Sequence, residues 1–312
     1  MGKTAFLFAG QGSQYVGMGR ELYENHSVVR DIFDQADREL GFPLSELCFN
    51  GPKEELDRTE NTQPAILTVS TAAYNILAEH GIHPDIAAGL SLGEYSALVA
   101  SGALEFTEAV KLVRRRGRYM QEAVPPGEGG MAAVLGLDIE KVEEACRLAA
   151  SAGIVQVANY NCPGQLVISG QKEALELASV KAGELGAKRV IPLDVSGPFH
   201  TALLKPAAEK LSADLENIKL DSLKIPVLSN VTADYIQDGQ VKELLPKQVM
   251  NSVFWEMTIR KMLDEGVDTF VEIGPGNVLR GFVKKIERKA NLLNVEDSQS
   301  LQNVLEHLKA KL

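Results

Sequence analysis

Residues 85–102 read DIAAGLSLGEYSALVASG, and their pattern indicates the fold class. Residues 85–88, which are apolar after Asp85, predict a short buried strand, and residues 92–100 predict a helix that ends before Gly102. Between them, Gly89-Leu90-Ser91-Leu92-Gly93 matches G-x-S-x-G, in which a serine occupies a sharp strand-to-helix turn. A serine that merely caps a helix would give the same motif. The strand before it and the helix after it favour a nucleophile elbow with Ser91 at its tip.

Strands and helices alternate on both sides of this stretch. We predict a strand at 5–9, helical segments up to residue 40, at 64–80 and at 106–124, and later strands near 227–230 and 269–273. This alternation is typical of an α/β fold with a mostly parallel sheet. Between 126 and 196 the predicted order changes to β-α-β-β-α-β, which is typical of a ferredoxin-like unit. We therefore predict a large α/β-hydrolase-like catalytic domain formed by 1–125 and 197–312, with a ferredoxin-like small domain inserted at 126–196.

Composition narrows the possible function classes. With 312 residues, 45% of them hydrophobic and 24% charged, the chain has the make-up of a globular enzyme. A net charge of −10 argues against nucleic acid as a partner. No apolar run approaches the ~20 residues of a membrane span, and the apolar start at 5–9 is too short for a signal peptide. We expect a cytoplasmic protein without a membrane partner. Cys48, Cys146 and Cys162 lack metal-site spacing, so we expect reduced thiols and no bound metal.

A serine nucleophile requires a base, and the chain has five histidines. Only His200 ends a segment, SGPFH at 196–200, that follows a predicted strand and precedes a predicted helix. Sites in parallel α/β sheets form at the carboxyl ends of strands, so His200 is the candidate base. A histidine that caps its helix would look the same. No acidic residue is clearly placed to complete a Ser-His-Asp triad; Asp194 is near in sequence, and the third member stays open.

Arg116 has an unusual position in the predicted helix 106–124. At 100° per residue it lies in the middle of the apolar stripe, whereas Arg114 and Arg118 point to the opposite side. An inward guanidinium is costly without an anionic partner. Two interpretations fit: a buried ion pair with a protein carboxylate, or a fork that binds a substrate carboxylate.

Seven segments, in order along the chain, match one known family. They are FAGQGSQ at 8–14, NTQPA at 61–65, GLSLGEYSA at 89–97, RGRYMQEAVP at 116–125, NYNCPGQ at 159–165, GPFH at 197–200 and EIGPG at 272–276. With these segments the chain resembles the malonyl-CoA:acyl-carrier-protein transacylases over essentially its whole length. One departure is Leu90, because that family usually has histidine at this position.

The resemblance implies a role for each candidate residue. Ser91 would be the acylated nucleophile and His200 its base, oriented by the backbone carbonyl of Gln248 rather than by an acid. Arg116 would bind the malonyl carboxylate, and Gln63 would line the pocket.

The resemblance also implies an activity, namely malonyl transfer from malonyl-CoA to the phosphopantetheine thiol of acyl carrier protein, through a malonyl-serine intermediate in fatty acid synthesis. The backbone amides of Gln11 and Leu92 would form the oxyanion hole. No cofactor is implied, since phosphopantetheine belongs to the partner, and we expect a monomer. One alternative is a serine esterase or thioesterase, which would need an acidic triad member. The other is a trans-acting acyltransferase of a polyketide synthase, whose site would look the same.

Docking of the carrier protein would require basic surface residues. Acyl carrier proteins are acidic, as the resemblance implies, so a protein of net charge −10 repels them at long range. The candidate docking residues are the pairs Lys188-Arg189 and Lys284-Lys285. Ordinary solvated charges would give the same pattern.

Overall fold

Two β-sheets and the helices around them make up the computed structural model, which describes residues 2–309. The strands are β1 (Lys3–Phe8), β2 (Ile86–Gly89), β3 (Gly129–Leu135), β4 (Val155–Cys162), β5 (Gln165–Gln171), β6 (Arg189–Pro192), β7 (Val267–Ile273) and β8 (Asn291–Val295). The α-helices are α1 (Arg20–Asn25), α2 (Ser27–Leu40), α3 (Leu44–Asn50), α4 (Lys53–Leu56), α5 (Thr59–Glu79), α6 (Leu92–Ala100), α7 (Phe106–Glu122), α8 (Ile139–Ala149), α9 (Lys172–Glu184), α10 (Lys205–Glu216), α11 (Val241–Met250), α12 (Trp255–Asp264), α13 (Val278–Ile286) and α14 (Ser298–Lys309). Within this described range, no helix has both the length and the apolar character needed to cross a bilayer.

The main sheet consists of four parallel strands in the order β2-β1-β7-β8. Phe8 pairs with Gly89 on one side and with Ile273 on the other, so three carboxyl ends meet at one edge. Along β1, Leu7 belongs to one apolar core cluster and Phe8 to another. Burial of both faces explains why residues 5–8 of this strand are all apolar. The predicted parallel sheet is confirmed, and its carboxyl edge is where the candidate site lies.

Two predicted elements need correction, and one strand is not predicted from the sequence. The predicted strand 227–230 is wrong: Val227 forms only an isolated bridge with Ala87, because the chain turns back and Ser229 N–H donates to Asp234 O at 2.9 Å. Strand β8 was not predicted. Helix α5 begins five residues before 64, since its polar first turn is buried and finds internal acceptors, such as Leu56 O for the Thr62 hydroxyl.

The second sheet is antiparallel, with the order β4-β5-β3-β6. Helices α8 and α9 contribute to its apolar cluster. Strand β4 also contacts the rest of the molecule, because Val253 N–H donates to Ala158 O at 2.8 Å and Tyr160 N–H donates to Val253 O at 2.9 Å. The α/β fold with a parallel sheet and a second sheet is therefore confirmed.

Candidate active site

Ser91 lies at the turn between β2 and α6 in a conformation that few residues other than glycine adopt, with φ 51° and ψ −103°. The flanking glycines allow this turn. A Cβ on Gly89 would lie 1.9 Å from the carbonyl carbon of Gly93, and a Cβ on Gly93 would lie 2.1 Å from Phe8 O. The close packing of β1, β2 and α6 therefore requires glycine at both positions, as a nucleophile elbow does.

His200 lies next to the serine. Ser91 Oγ is 2.9 Å from His200 Nε2, and His200 Nδ1 is 2.8 Å from Gln248 O. Because a carbonyl oxygen only accepts, Nδ1 carries the proton and Nε2 accepts from the Ser91 hydroxyl. Burial, and then the charge of Arg116, lowers the pKa of His200 to about 4. Asp194 is exposed, and no carboxylate of residues 2–309 forms a hydrogen bond or ion pair with His200.

Arg116 lies inside the protein with 1% of its surface exposed. Its Nη1 donates to Gln63 Oε1 at 2.8 Å, and its Nη2 donates to Ser91 Oγ at 3.1 Å and to Gln248 Oε1 at 2.8 Å. The guanidinium lies over the Tyr95 ring, 5.2 Å from its centre. Within the described part of the chain it forms no ion pair, and its Nε–H has no acceptor. The inward orientation is confirmed, and the buried ion pair is not observed.

Sequence reasoning missed two buried residues beside the nucleophile, Glu94 and Asn230. Glu94 Oε2 accepts from Asn230 N–H and from Gln248 Nε2, both at 2.9 Å. Asn230 Oδ1 accepts from Ser91 N–H at 2.6 Å, and its Nδ2 donates to Gly89 O at 2.7 Å. Burial raises the pKa of Glu94 to about 7. The available sequence signal for Asn230 was its position at the carboxyl end of the predicted strand 227–230, where sites in parallel sheets form.

The backbone amides of Leu92 and Gln11 border the same turn. Leu92 begins α6, so its N–H has no acceptor within the helix. Gln11 follows Gly10, on which a Cβ would lie 2.5 Å from Leu90 O, so this loop touches the elbow. Within residues 2–309 neither N–H donates to another protein group. The side chain of Gln11 donates to Thr59 Oγ1 at 3.1 Å. The predicted oxyanion-hole role of the two amides stays a prediction.

The candidate docking residues lie at one end of the second sheet. Arg189 pairs with Leu135, which also pairs with Gln165. Lys285 Nζ donates to Gln165 Oε1 at 2.7 Å, which brings α13 to the same end. Adjacent strands are ~4.8 Å apart, so two strand spacings separate Gln165 from Arg189 by ~10 Å. Lys188, Arg189, Lys284 and Lys285 are all exposed. These four residues are called the basic patch below.

Comparison with known proteins assigns this geometry to a family. A family model described as Acyl transferase domain matches residues 5–302. The chain is 51% identical over 311 residues to the malonyl CoA-acyl carrier protein transacylase of Bacillus subtilis (strain 168), covering 99% of this chain and 98% of that protein. The chain belongs to the malonyl CoA-acyl carrier protein transacylase family.

Solved structures of malonyl CoA-acyl carrier protein transacylases share the fold. The one from Clostridium perfringens Atcc 13124 is 49% identical, with a TM-score of 0.96 and coverage of 99% of this chain and 98% of that chain. A second, of a holo type II PKS acyl-carrier protein in complex with its malonyl-transacylase, is 43% identical, with a TM-score of 0.96 and coverage of 98% and 99%. The parallel sheet and the second, antiparallel sheet are therefore the family's fold.

Proposed function

We propose that the chain transfers a malonyl group from malonyl-CoA to the phosphopantetheine thiol of acyl carrier protein, supplying fatty acid synthesis. The observation that carries this proposal is the buried Arg116 guanidinium, which forms no ion pair with a carboxylate of residues 2–309 and whose Nη2 lies 3.1 Å from Ser91 Oγ. A short acyl group that ends in a carboxylate supplies the missing anion beside the serine. The names of the relatives support the same substrate and partner.

Ser91 is the nucleophile and His200 the base in both half-reactions. The serine oxygen attacks the thioester carbonyl carbon while Nε2 takes its proton; the C–S bond then breaks, and CoA leaves with that proton. In the second half-reaction the carrier thiol gives its proton to Nε2 and attacks the ester, and the proton returns to Ser91 Oγ as the C–O bond breaks. The hydrogen bond from Nδ1 to Gln248 O keeps Nε2 directed at the serine.

The amides of Gln11 and Leu92 stabilise the oxyanion that forms in each attack. Neither N–H group has an acceptor within residues 2–309, and both belong to the turns that meet at the elbow. The N-terminus of α6 adds the positive end of the helix dipole.

Arg116 selects carboxylated acyl groups. The bonds to Gln63, Gln248 and Ser91 use three of its five N–H groups, which leaves one hydrogen of Nη1 for a carboxylate oxygen. The two glutamine oxygens hold the fork in place before substrate arrives, which reduces the entropy lost on binding.

The two alternative functions differ in how well they fit the geometry of the site. An esterase or thioesterase would need an acid behind His200, and the group behind it is the Gln248 carbonyl. A polyketide carrier protein is a second candidate acceptor, because the complex solved for one relative contains a type II PKS acyl-carrier protein. Transfer rates to fatty acid and polyketide carrier proteins, measured side by side, would distinguish the two acceptors.

Several further properties belong to the same proposal. The basic patch docks the carrier protein, because it offers positive charge on a molecule of net charge −10. The protein needs no cofactor of its own and acts as a monomer in the cytoplasm.

The strand order β4-β5-β3-β6, with helices after β3 and β5, supports a ferredoxin-like unit at 126–196 inserted between 1–125 and 197–312. The unpaired, buried cysteines support reduced thiols.

The proposed function can be tested by intact-mass measurement after mixing with malonyl-CoA. We expect a malonyl adduct on the wild-type protein and none on Ser91→Ala, which lacks only the nucleophilic oxygen. Arg116→Ala should lower malonylation by a factor on the order of 10² while changing acetylation by acetyl-CoA much less, because only malonyl carries a carboxylate. Adduct on Ser91→Ala, or equal losses for both thioesters in Arg116→Ala, would contradict these roles.

A further inference from the structure

Gln248 connects three parts of the site. Its backbone oxygen accepts from His200 Nδ1, and its side-chain Oε1 accepts from Arg116 Nη2, both at 2.8 Å. Its Nε2 donates to Ser91 O and to Glu94 Oε2, both at 2.9 Å. Arg116 only donates hydrogen bonds and Glu94 Oε2 accepts them. The side-chain amide of Gln248 therefore satisfies both groups in only one orientation, with its oxygen toward Arg116 and its nitrogen toward Glu94. Glu94 therefore influences the position of the Arg116 guanidinium through its hydrogen bond with the Gln248 side chain.

Glu94 is a buried carboxylate that the proposed reaction steps do not use. Its surface is 0% exposed, and its Oε2 also accepts from Asn230 N–H at 2.9 Å. Its Oε1 has no partner among the described residues. Burial raises the pKa of Glu94. The hydrogen bonds from Asn230 and Gln248 and the positive charge of Arg116 lower that pKa, but by less than burial raises it. Burying an acidic group is costly, so its place beside the nucleophile requires an explanation.

Helix capping does not explain Glu94. Ser91 is the N-cap of α6 and Glu94 is its third residue, so the pattern S-x-x-E predicts a capping box in which the glutamate accepts the N-cap N–H. In the structure Ser91 N–H donates to Asn230 Oδ1 instead, and the Ser91 side chain makes no cap bond. Glu94 Oε2 instead accepts from Asn230 and Gln248, which are residues of the site and not of the helix end.

We propose that Glu94 is a positioning residue for malonyl recognition: its Oε2 holds the Gln248 side chain, which in turn holds Arg116 in line for the acyl carboxylate. This inference rests on the proposed function, since it concerns the group that binds the malonyl carboxylate. An acetyl group has no carboxylate and needs only the serine, the base and the oxyanion hole. Loss of the Glu94 acceptor therefore lowers malonylation more than acetylation.

The test compares Glu94→Met with Glu94→Gln. At pH 8, mass time courses give the rates of Ser91 acylation by malonyl-CoA and by acetyl-CoA, and the measured quantity is the ratio of these rates. Methionine has a similar length and no acceptor oxygen, so we expect the ratio to fall about tenfold, the effect of one charge-assisted hydrogen bond. Glutamine keeps an oxygen, which replaces Oε2 because Asn230 N–H and Gln248 Nε2 both donate. We expect its ratio to stay within about threefold of wild type.

Glu272→Gln is the matched control. Glu272 is also a buried carboxylate that accepts two backbone N–H groups, those of Leu279 and Arg280 at 3.0 and 2.8 Å, and it serves the first turn of α13. Its substitution should leave the malonyl-to-acetyl ratio at the wild-type value. Because both thioesters are compared on one sample, the ratio does not depend on the folded fraction.

A double variant keeps the test available if Glu94→Met does not fold. Glu94→Met combined with Gln248→Met also removes the Nε2 hydrogen that loses its acceptor in Glu94→Met. Its ratio should equal that of Gln248→Met alone, because both changes act through one chain of hydrogen bonds, whereas additive losses would overturn the inference. A wild-type ratio in Glu94→Met, or an equal loss in Glu94→Gln and Glu94→Met, would also overturn it. Wild-type protein that forms no malonyl adduct would refute the proposed function instead.

Discussion

At the scale of single residues, the charge of His200 is set by two features of its surroundings. Burial disfavours the imidazolium, and the nearby Arg116 guanidinium repels it, so the pKa falls from 6.5 to about 4. The base is therefore neutral, and ready to accept a proton, at pH values where an ordinary histidine is largely protonated. When a malonyl carboxylate binds Arg116, part of this repulsion is neutralised, so we infer that the pKa of His200 is higher in the complex.

This environment predicts an unusual pH profile. At low malonyl-CoA concentration, which reports on the free enzyme, we expect the acylation rate of Ser91 to stay level from about pH 8 to about pH 5. Below that it falls, because protonated His200 no longer accepts a proton. Quenched mass measurements across this range check the prediction, and a half-maximal rate near 6.5 would contradict it. A step near pH 7 that disappears in Glu94→Gln would belong to Glu94, whose pKa is about 7.

Single residues also show what sequence can and cannot reveal about a site. The inward position of Arg116 followed from helical geometry, because the surrounding apolar residues share its face of α7. Gln248 and Asn230 lie 157 and 139 residues from Ser91, so no local pattern connects them to the serine. The role of the Gln248 carbonyl came only from resemblance to a family. The S-x-x-E pattern even pointed Glu94 toward helix capping, a bond that the structure does not form.

At the scale of elements, the β2–α6 turn should tolerate no Cβ at Gly93. The added carbon would lie 2.1 Å from Phe8 O, and backbone on both sides leaves no flexible atom to yield. We expect Gly93→Ala to lower the free energy of unfolding by about 3 kcal/mol, the upper end for overpacking. Gly183→Ala in α9 is the control, because no described atom lies within 4 Å of the added Cβ and alanine favours helix by about 1 kcal/mol. Urea unfolding measures both; equal stabilities would contradict the close approach of β1 and α6.

Elements with strong local signals were predicted well, and those fixed by tertiary pairing were not. Helix α6 has the predicted bounds, since glycines mark the elbow before it and Gly102 lies just beyond its end. Near 227–230 the chain bonds β2 only at Ala87, through Pro226 O and Leu228 N–H, and it reverses directly afterwards, so no regular strand forms. Strand β8 is half-buried and carries two asparagines, so its pattern is weak, and pairing with β7 defines it. Local sequence patterns do not show which distant segments pair with each other.

At the scale of the whole molecule, overall charge and local charge act in opposite directions on an acidic partner. The net charge of −10 repels such a partner at long range. The basic patch is assembled by folding, because register across β6, β3 and β5 brings Arg189 near Lys285. The sequence showed two basic pairs, whereas their convergence depends on the second sheet and on α13.

Charge reversal tests the role of the basic patch. Reversing one residue from each pair, with Lys188→Glu and Lys285→Glu, should raise the KM for acyl carrier protein by about tenfold and change malonylation of Ser91 by malonyl-CoA much less. Lys219→Glu with Lys224→Glu is the control: it changes net charge equally, and Lys224 N–H bonds Ser101 O, at the end of α6 opposite the nucleophile. The wild-type KM should also rise with salt, since exposed charges are screened over ~8 Å at physiological ionic strength. If both double variants raise KM equally, the overall field controls docking; if neither variant nor salt changes it, docking rests on apolar contacts.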